Sequence, residues 1–147
     1  MLPLNLPPLE ANIKQVDGNR LIYDSLRRRF VALTPEEWVR QHFVNFLIAY
    51  KGYPKSFLQN EVALRIGEVS RRADTVVYRS DLTPRMIIEY KAPSVKITQK
   101  AFRQVLNYDR VLRADYLTLS NGLTHYCLSL KGSAPEFLSD IPCYADL

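Results

Sequence analysis

The chain has 147 residues, 47% of them hydrophobic and 24% charged, with a formal net charge of +5. That length fits one domain with a real core, and that balance excludes a disordered chain. No run approaches the roughly 20 apolar residues that cross a bilayer as a helix, so no membrane role is expected. Residues 1–9 are apolar but broken by Pro3, Pro7 and Pro8 and lack a basic start, which reads as an extended arm and not as a signal peptide. Cys127 and Cys143 have no metal-ligand spacing, so reduced thiols and a cytoplasmic location are expected. A single domain over 1–147 follows, with an N-terminal arm at 1–19 and a C-terminal tail at 131–147.

Residues 20–23 and 28–33 read as short strands or an extended lead-in. Thr34 then begins a helix, with Pro35 at its first position and Glu37 completing a capping box. Val39, Phe43, Phe46, Leu47 and Tyr50 form one apolar stripe. On this pattern Glu36 projects on the stripe side, one turn before Arg40, and Glu37 points away. Gly52 and Pro54 end the helix. A strand over 57–66 places Val62, Leu64 and Ile66 on one face and Glu61, Ala63 and Arg65 on the other. Glu61 thus either reaches a polar site or pairs with a neighbouring arginine.

Two strands at 73–78 and 86–90, rich in Val, Ile, Thr and Tyr, flank a turn built on Ser80, Asp81 and Pro84. Antiparallel pairing of this hairpin brings Asp74 towards Glu89. Alternation puts Glu89 and Lys91 on one side and Tyr90 on the other. Two close carboxylates repel each other, and a divalent cation compensates them; Mg²⁺ accepts two or three hard oxygen ligands with several retained waters. Lys91 beside such an ion would hold an attacking water or stabilise charge on a phosphate.

A second helix is expected over 98–113, with Ala101, Val105, Tyr108 and Leu112 as its stripe and Gln104 at the stripe's edge. A strand at 116–120, a turn at Asn121-Gly122 and a strand at 124–130 close the pattern. Strands flanked by helices indicate an α/β fold with a mixed sheet. His42 and His125 lie apart in apolar or strand contexts and receive no ligand role. Residues 71–113 hold ten Lys or Arg against Asp74, Asp81, Glu89 and Asp109, so the basic surplus surrounds the hairpin. Arg71, Arg72, Lys96, Lys100 and Arg103 are therefore candidate phosphate contacts.

Asp74 followed by Glu89-Tyr90-Lys91 resembles the PD-(D/E)XK nuclease pattern, and more closely the N-terminal nuclease domain of type I restriction enzyme R subunits. The resemblance extends over Thr34-Pro35-Glu36-Glu37-Trp38-Val39-Arg40-Gln41, Arg72-Ala73-Asp74, Glu89-Tyr90-Lys91-Ala92-Pro93, Gln104-Val105-Leu106-Asn107-Tyr108 and Thr118-Leu119-Ser120-Asn121-Gly122. Ala73 stands where the pattern's name has proline. It implies a restriction-endonuclease-like core and a metal-dependent DNA endonuclease or exonuclease using Mg²⁺ or Mn²⁺. Asp74 and Glu89 would be the metal ligands and Glu36 a third carboxylate, unless Glu36 only pairs with Arg40. Gln104 would contact a phosphate oxygen or a metal-bound water, and Tyr108 would orient it.

Full R subunits add an ATP-driven translocase, whereas none of the five glycines here is followed by Lys, so this chain is not expected to bind ATP. DNA is the expected partner, together with other restriction or repair subunits. The alternative reading is a nucleic-acid-binding or protein-interaction module of the same fold without catalysis. A third is a purely structural domain in which Glu89 pairs with Lys91, and Asp74 with Arg71 or Arg72. If the five candidate cations each neutralise one phosphate, log affinity for DNA falls with log salt at a slope of about −4.5, a loss of roughly 500-fold between about 50 and 200 mM salt. Fluorescence anisotropy across that range measures the slope, and a flat profile contradicts the phosphate-contact reading.

Overall fold

A computed structural model describes residues 3–103 and 113–147, with Ile66 and Val69 as backbone only, and shows two sheets joined by a 16-residue helix. Strands β1 (Ile13–Val16), β2 (Asn19–Asp24) and β3 (Arg29–Ala32) form an antiparallel meander. The lead-in strands are where the composition places them. The N-terminal arm is not all arm, because β1 lies inside it. Its signal is Asp17-Gly18, whose φ values of 50° and 80° form the tight turn between β1 and β2.

Helix α1 (Pro35–Tyr50) starts as its sequence dictates: the Glu37 amide donates to Thr34 Oγ1 at 3.0 Å, and Pro35 occupies the first turn. Val39, Phe43 and Leu47 of the stripe are fully buried, Phe46 is half-buried and Tyr50 is exposed. The amides of Lys51 and Tyr53 both donate to the Leu47 carbonyl, with Gly52 at φ 72° making the left-handed exit.

The larger sheet runs in the order β4 (Leu58–Ile66), β5 (Val69–Tyr78), β6 (Pro84–Tyr90), β7 (Tyr116–Ser120), β8 (His125–Ser129) and β9 (Glu136–Leu138). Only the β6–β7 pairing is parallel, which makes the sheet mixed. The α1 stripe packs on Val77, Met86, Ile88 and Tyr90 of one face. Val76, Ile87, Leu117 and Leu119 of the other face pack with Ile97 and Phe102. Phe102 belongs to a helical segment at 99–103, which begins where Thr98 Oγ1 accepts the Ala101 amide at 3.1 Å. The expected α/β architecture, a mixed sheet between helices, is the architecture found. The rest of the expected second helix, with Gln104 and Tyr108, lies outside the described residues. The tail at 131–147 is part of the domain: it supplies β9, buries Ile141 and accepts the Tyr53 hydroxyl on the Pro142 carbonyl at 2.8 Å. Among the described residues, no helix is long and apolar enough to cross a membrane.

A buried polar join fixes the three-stranded sheet, α1 and β4 to one another. Glu36 is exposed and Glu37 is 4% exposed, the reverse of the reading from the stripe. A stripe describes one covered side, whereas the β2–β3 turn builds a second wall against the flank that carries Glu37 and Gln41. From that turn Arg27 pairs with Asp24 and donates to Glu37 Oε1 at 2.5 Å. Arg40 donates to both oxygens of Glu37 at 3.1 Å, and Gln41 to Oε2 at 2.9 Å. Asn60 of β4 donates to Asp24 at 3.0 Å. The Glu37 side chain is thus spent on this join, and only the Thr34 half of the capping box forms.

Burial alone would push the Asp24 and Glu61 carboxyls up, but hydrogen bonds from Arg27 and Asn60, and from Arg40 and Arg72, hold both below their ordinary values. Groups lowered in this way contribute stability that is complete above their ordinary values of 3.8 and 4.5 and is lost as pH falls through the lowered ones. Thermal melts should therefore be level above pH 5 in this respect and drop below about pH 4. Removing one member of a buried ion network costs about 3 kcal/mol, whereas an exposed change stays within about 0.5 kcal/mol. Denaturant melts should place Glu37→Ala in the first class and Glu36→Ala in the second, and equal effects would contradict the assignment.

Candidate active site

The β5–β6 ladder pairs Val77 with Met86, Val76 with Ile87 and Thr75 with Ile88. One further step would pair Asp74 with Glu89, but there a side chain takes over: Asp74 Oδ2 accepts the Tyr90 amide at 2.8 Å. On the other edge of β5 the ladder also lapses, pairing Asn60 with Thr75 and Val62 with Ala73 while omitting Glu61 opposite Asp74. Glu61 sits at φ 57°, a conformation costly for a non-glycine residue. It is held there by Arg40 at 2.7 Å and Arg72 at 2.5 Å. The lapse has a topological consequence. Asn60 and Thr75 are bonded on the α1 side, whereas Val62 and Ala73 pack in the core of the opposite face. Arg40 closes the gap by donating from Nη1 to the Asp74 carbonyl at 2.7 Å.

Tyr90 faces α1, as alternation requires. Its hydroxyl donates to Thr75 Oγ1 at 2.9 Å, Thr75 donates to Asn60 at 2.7 Å, and its ring lies 5.9 Å from the Arg40 guanidinium. Burial pushes the Tyr90 phenol up, so it acts as a neutral donor. Burial would lower the Arg40 guanidinium, but the charges and hydrogen bonds of Glu37 and Glu61 outweigh it, so Arg40 stays charged.

Glu89 and Lys91 point to the opposite side and line a cavity of about 270 Å³ together with Arg71, Lys96, Ile87, Leu117 and Phe102. Arg71 Nη2 lies 3.7 Å from Glu89 Oε1, a loose ion pair. Lys91 is exposed at the cavity, and its amide donates to the Ser120 carbonyl at 2.9 Å. The loop beyond it is tied down by Asn121, which donates to the Val95 carbonyl at 2.8 Å and accepts the amides of Leu123 and Thr124 at 3.0 and 2.8 Å. Gly122 follows at φ 85°, where a Cβ would stand 2.8 Å from the Leu4 side chain. The positive φ is what makes the turn require glycine.

The fold thus brings Asp74, Glu89 and Lys91 to one end of the β5–β6 pair. It does not bring Glu36, and Arg40 pairs with Glu37 and Glu61 instead of Glu36. Glu61 takes the arginine pairing left open by its strand position. Of the candidate phosphate contacts, Arg71 and Lys96 line the cavity, while Lys100 and Arg103 are exposed on the 99–103 segment, with Arg103 over the Phe137 ring at 5.1 Å. Arg72 is mainly a partner of Glu61. Sequence reasoning missed Asp24, Arg27, Asn60 and the support role of Glu37; an acid among the apolar residues Leu21, Ile22 and Tyr23 was the available hint.

Among the described residues no group of three or more His, Cys, Asp or Glu side chains is assembled for a metal. Glu89 at the cavity and Asp74 on the adjacent strand, its Oδ2 on the Tyr90 amide, nonetheless offer two carboxylates of the donor chemistry that Mg²⁺ or Mn²⁺ accepts, with waters retained in the remaining positions.

A family model of the N terminus of type I restriction enzyme R proteins matches residues 35–142. Among solved structures the chain is similar to a fragment assigned to the HsdR subunit of a type I restriction enzyme from Vibrio vulnificus YJ016, at 17% identity and a TM-score of 0.55, covering 75% of this chain and 24% of that one. It is also similar to a DUF820 protein assigned as a nuclease from Anabaena variabilis ATCC 29413, at 15% identity and a TM-score of 0.47, covering 92% of this chain and 80% of that one. The Vibrio likeness is one of fold, and the chain spans about a quarter of that fragment. No curated protein matches significantly. The matched stretch runs from the first residue of α1 through β9 and includes Asp74, Glu89 and Lys91, so the chain belongs to the family of type I restriction enzyme R protein N termini.

Proposed function

We propose that the chain is a metal-dependent deoxyribonuclease domain that hydrolyses phosphodiester bonds and works beside other restriction subunits in the cytoplasm. The observation that carries this reading is the lapse of both ladders at Asp74. It leaves the Asp74 carboxylate bonded to the Tyr90 amide, next to Glu89, with Lys91 on the Glu89 side of the sheet. Asp74 and Glu89 would hold Mg²⁺ or Mn²⁺, which supplies Lewis-acid stabilisation and an acidified water when bound. Lys91 contributes an ammonium at the cavity, where it holds the incoming water or stabilises negative charge developing on the phosphate.

Arg71 compensates Glu89 while no cation is present and, with Lys96 and Lys100, guides the phosphate backbone. Arg40 fixes the Asp74 main chain and so the place from which that carboxylate projects. Gln104, oriented by Tyr108, adds a neutral contact to a phosphate oxygen or a water in this reading. A binding module without catalysis is the second reading; it is favoured by the Arg71–Glu89 pair, which compensates Glu89 without an ion.

Lys91→Ala should keep metal binding and most DNA affinity while turnover falls about 10²- to 10³-fold, because the lost interaction strengthens in the transition state. Cleavage of supercoiled and linear DNA with Mg²⁺ or Mn²⁺, at matched folded concentration, measures it. Equal rates would remove Lys91 from catalysis, and no cleavage by either protein would select the binding module.

A further inference from the structure

We infer that the apolar end of the cavity beside Glu89 and Lys91 takes a single unpaired base, so that the strand cut at this site is DNA with an unpaired nucleotide next to the scissile bond. The substrate preference rests on the nuclease reading, whereas binding of the base does not. Hydrolysis would engage only the charged end of the cavity, which leaves the apolar end without a role.

Along β6, Ile87, Glu89 and Lys91 follow one another on the face away from α1, and all three line the cavity. The parallel register sets Leu117 beside Ile87 and Leu119 beside Glu89. The floor therefore changes from charged at Glu89 to apolar at Ile87 within about 7 Å along the strand. Over it stand Val95, Ile97, Ala101 and Phe102, from the segment that leaves β6 and enters the helical residues 99–103. Val95 and Ala101 are exposed at the mouth, and Ile97 and Phe102 are buried within.

These walls are held in place. Asn121 donates to the Val95 carbonyl at 2.8 Å, Thr98 Oγ1 accepts the Ala101 amide at 3.1 Å, and the Phe102 ring packs 5.8 Å from that of Phe137. The chamber is thus built into the fold. Its volume of about 270 Å³ is close to the lower bound of small-molecule sites, about 300 Å³, which gives room for one planar ring system and not for the stacked pairs of a duplex.

The exposed cations Lys91 and Lys96 line the same cavity. A ligand that carries an anion and a flat apolar ring a short step apart fits both features, and in a nucleic-acid strand that is a phosphate and its own base. A base paired in a duplex faces its partner and is stacked, so it cannot enter. An unpaired base gives up less on leaving the stack, which selects unpaired nucleotides without any reading of sequence.

Fluorescence anisotropy in EDTA, on the full chain, compares a labelled duplex bearing one bulged thymidine, the same duplex with an abasic residue in the bulge, and the unbulged duplex. The abasic bulge interrupts the duplex as the thymidine bulge does but has no base, so the difference between them reports the chamber. Wild type should bind the thymidine bulge about tenfold more tightly than the abasic one, the usual scale of packing one base on a protein wall. Ala101→Leu, which adds bulk at the exposed mouth, should erase that difference, while its affinity for the unbulged duplex and its melting temperature stay those of wild type. With Mg²⁺, the phosphates flanking the bulged thymidine should be cut about tenfold or more faster than those elsewhere in the duplex. Equal affinity for the two bulges, or a thymidine preference untouched by Ala101→Leu, overturns the inference. Cleavage spread evenly along the duplex overturns the substrate preference and keeps the nuclease reading. Base-dependent binding without cleavage of any DNA does the reverse: it keeps the chamber and removes the nuclease reading.

Discussion

The Arg40 guanidinium is the constraint on which the rest of this structure depends. It is 6% exposed, a position that no lone cation tolerates, and its donors are distributed over Glu37, Glu61 and the Asp74 carbonyl. Each contact settles a different matter. Glu37 anchors it in the first turn of α1, Glu61 accepts it from a strained position in β4, and the Asp74 carbonyl is a group that the lapsed ladder leaves for it. A planar fork with five donors can make these bonds at once, whereas a lysine presents one compact charge.

The sheet consequently has two unlike sides at its β5–β6 end. On the α1 side Tyr90, Thr75 and Asn60 form a closed chain of hydrogen bonds that fixes the backbone. On the far side Glu89, Lys91, Arg71 and Lys96 meet the cavity. Rigidity is built on one face and the cavity opens on the other, and Asp74 is bonded to both α1 and β6 at this end of the sheet. Its carboxylate reaches across to Tyr90, and its carbonyl is gripped from α1.

Features set by neighbouring residues were legible in the sequence. Thr34 and Pro35 announced the helix because capping is local, and Glu89 and Lys91 were correctly assigned to one side because alternation along β6 is unbroken. Where tertiary walls decide, the sequence misled: Glu36 lies on the stripe by angle, but the β2–β3 turn makes Glu37 the buried acid. The lapse at Glu61 was equally hidden, since period-2 reading assumes an unbroken strand and a glutamate rarely signals positive φ. β1 was different, because its Asp17-Gly18 turn was a recognisable signal inside a stretch read as an arm.

The proposed function rests on Asp74 and Glu89 holding one divalent cation, with Arg40 fixing the main chain from which Asp74 projects. Calorimetric titration of Mn²⁺ into the wild type, Asp74→Ala, Glu89→Ala and Arg40→Lys proteins, each shown to be folded by melting, tests it most directly. The wild type should bind, both alanine variants should lose binding, and Arg40→Lys should weaken it by about 10- to 100-fold, the usual effect of removing a group that orients a ligand. Undiminished Mn²⁺ binding by folded Asp74→Ala and Glu89→Ala would contradict the site, and wild-type affinity in folded Arg40→Lys would contradict its dependence on Arg40.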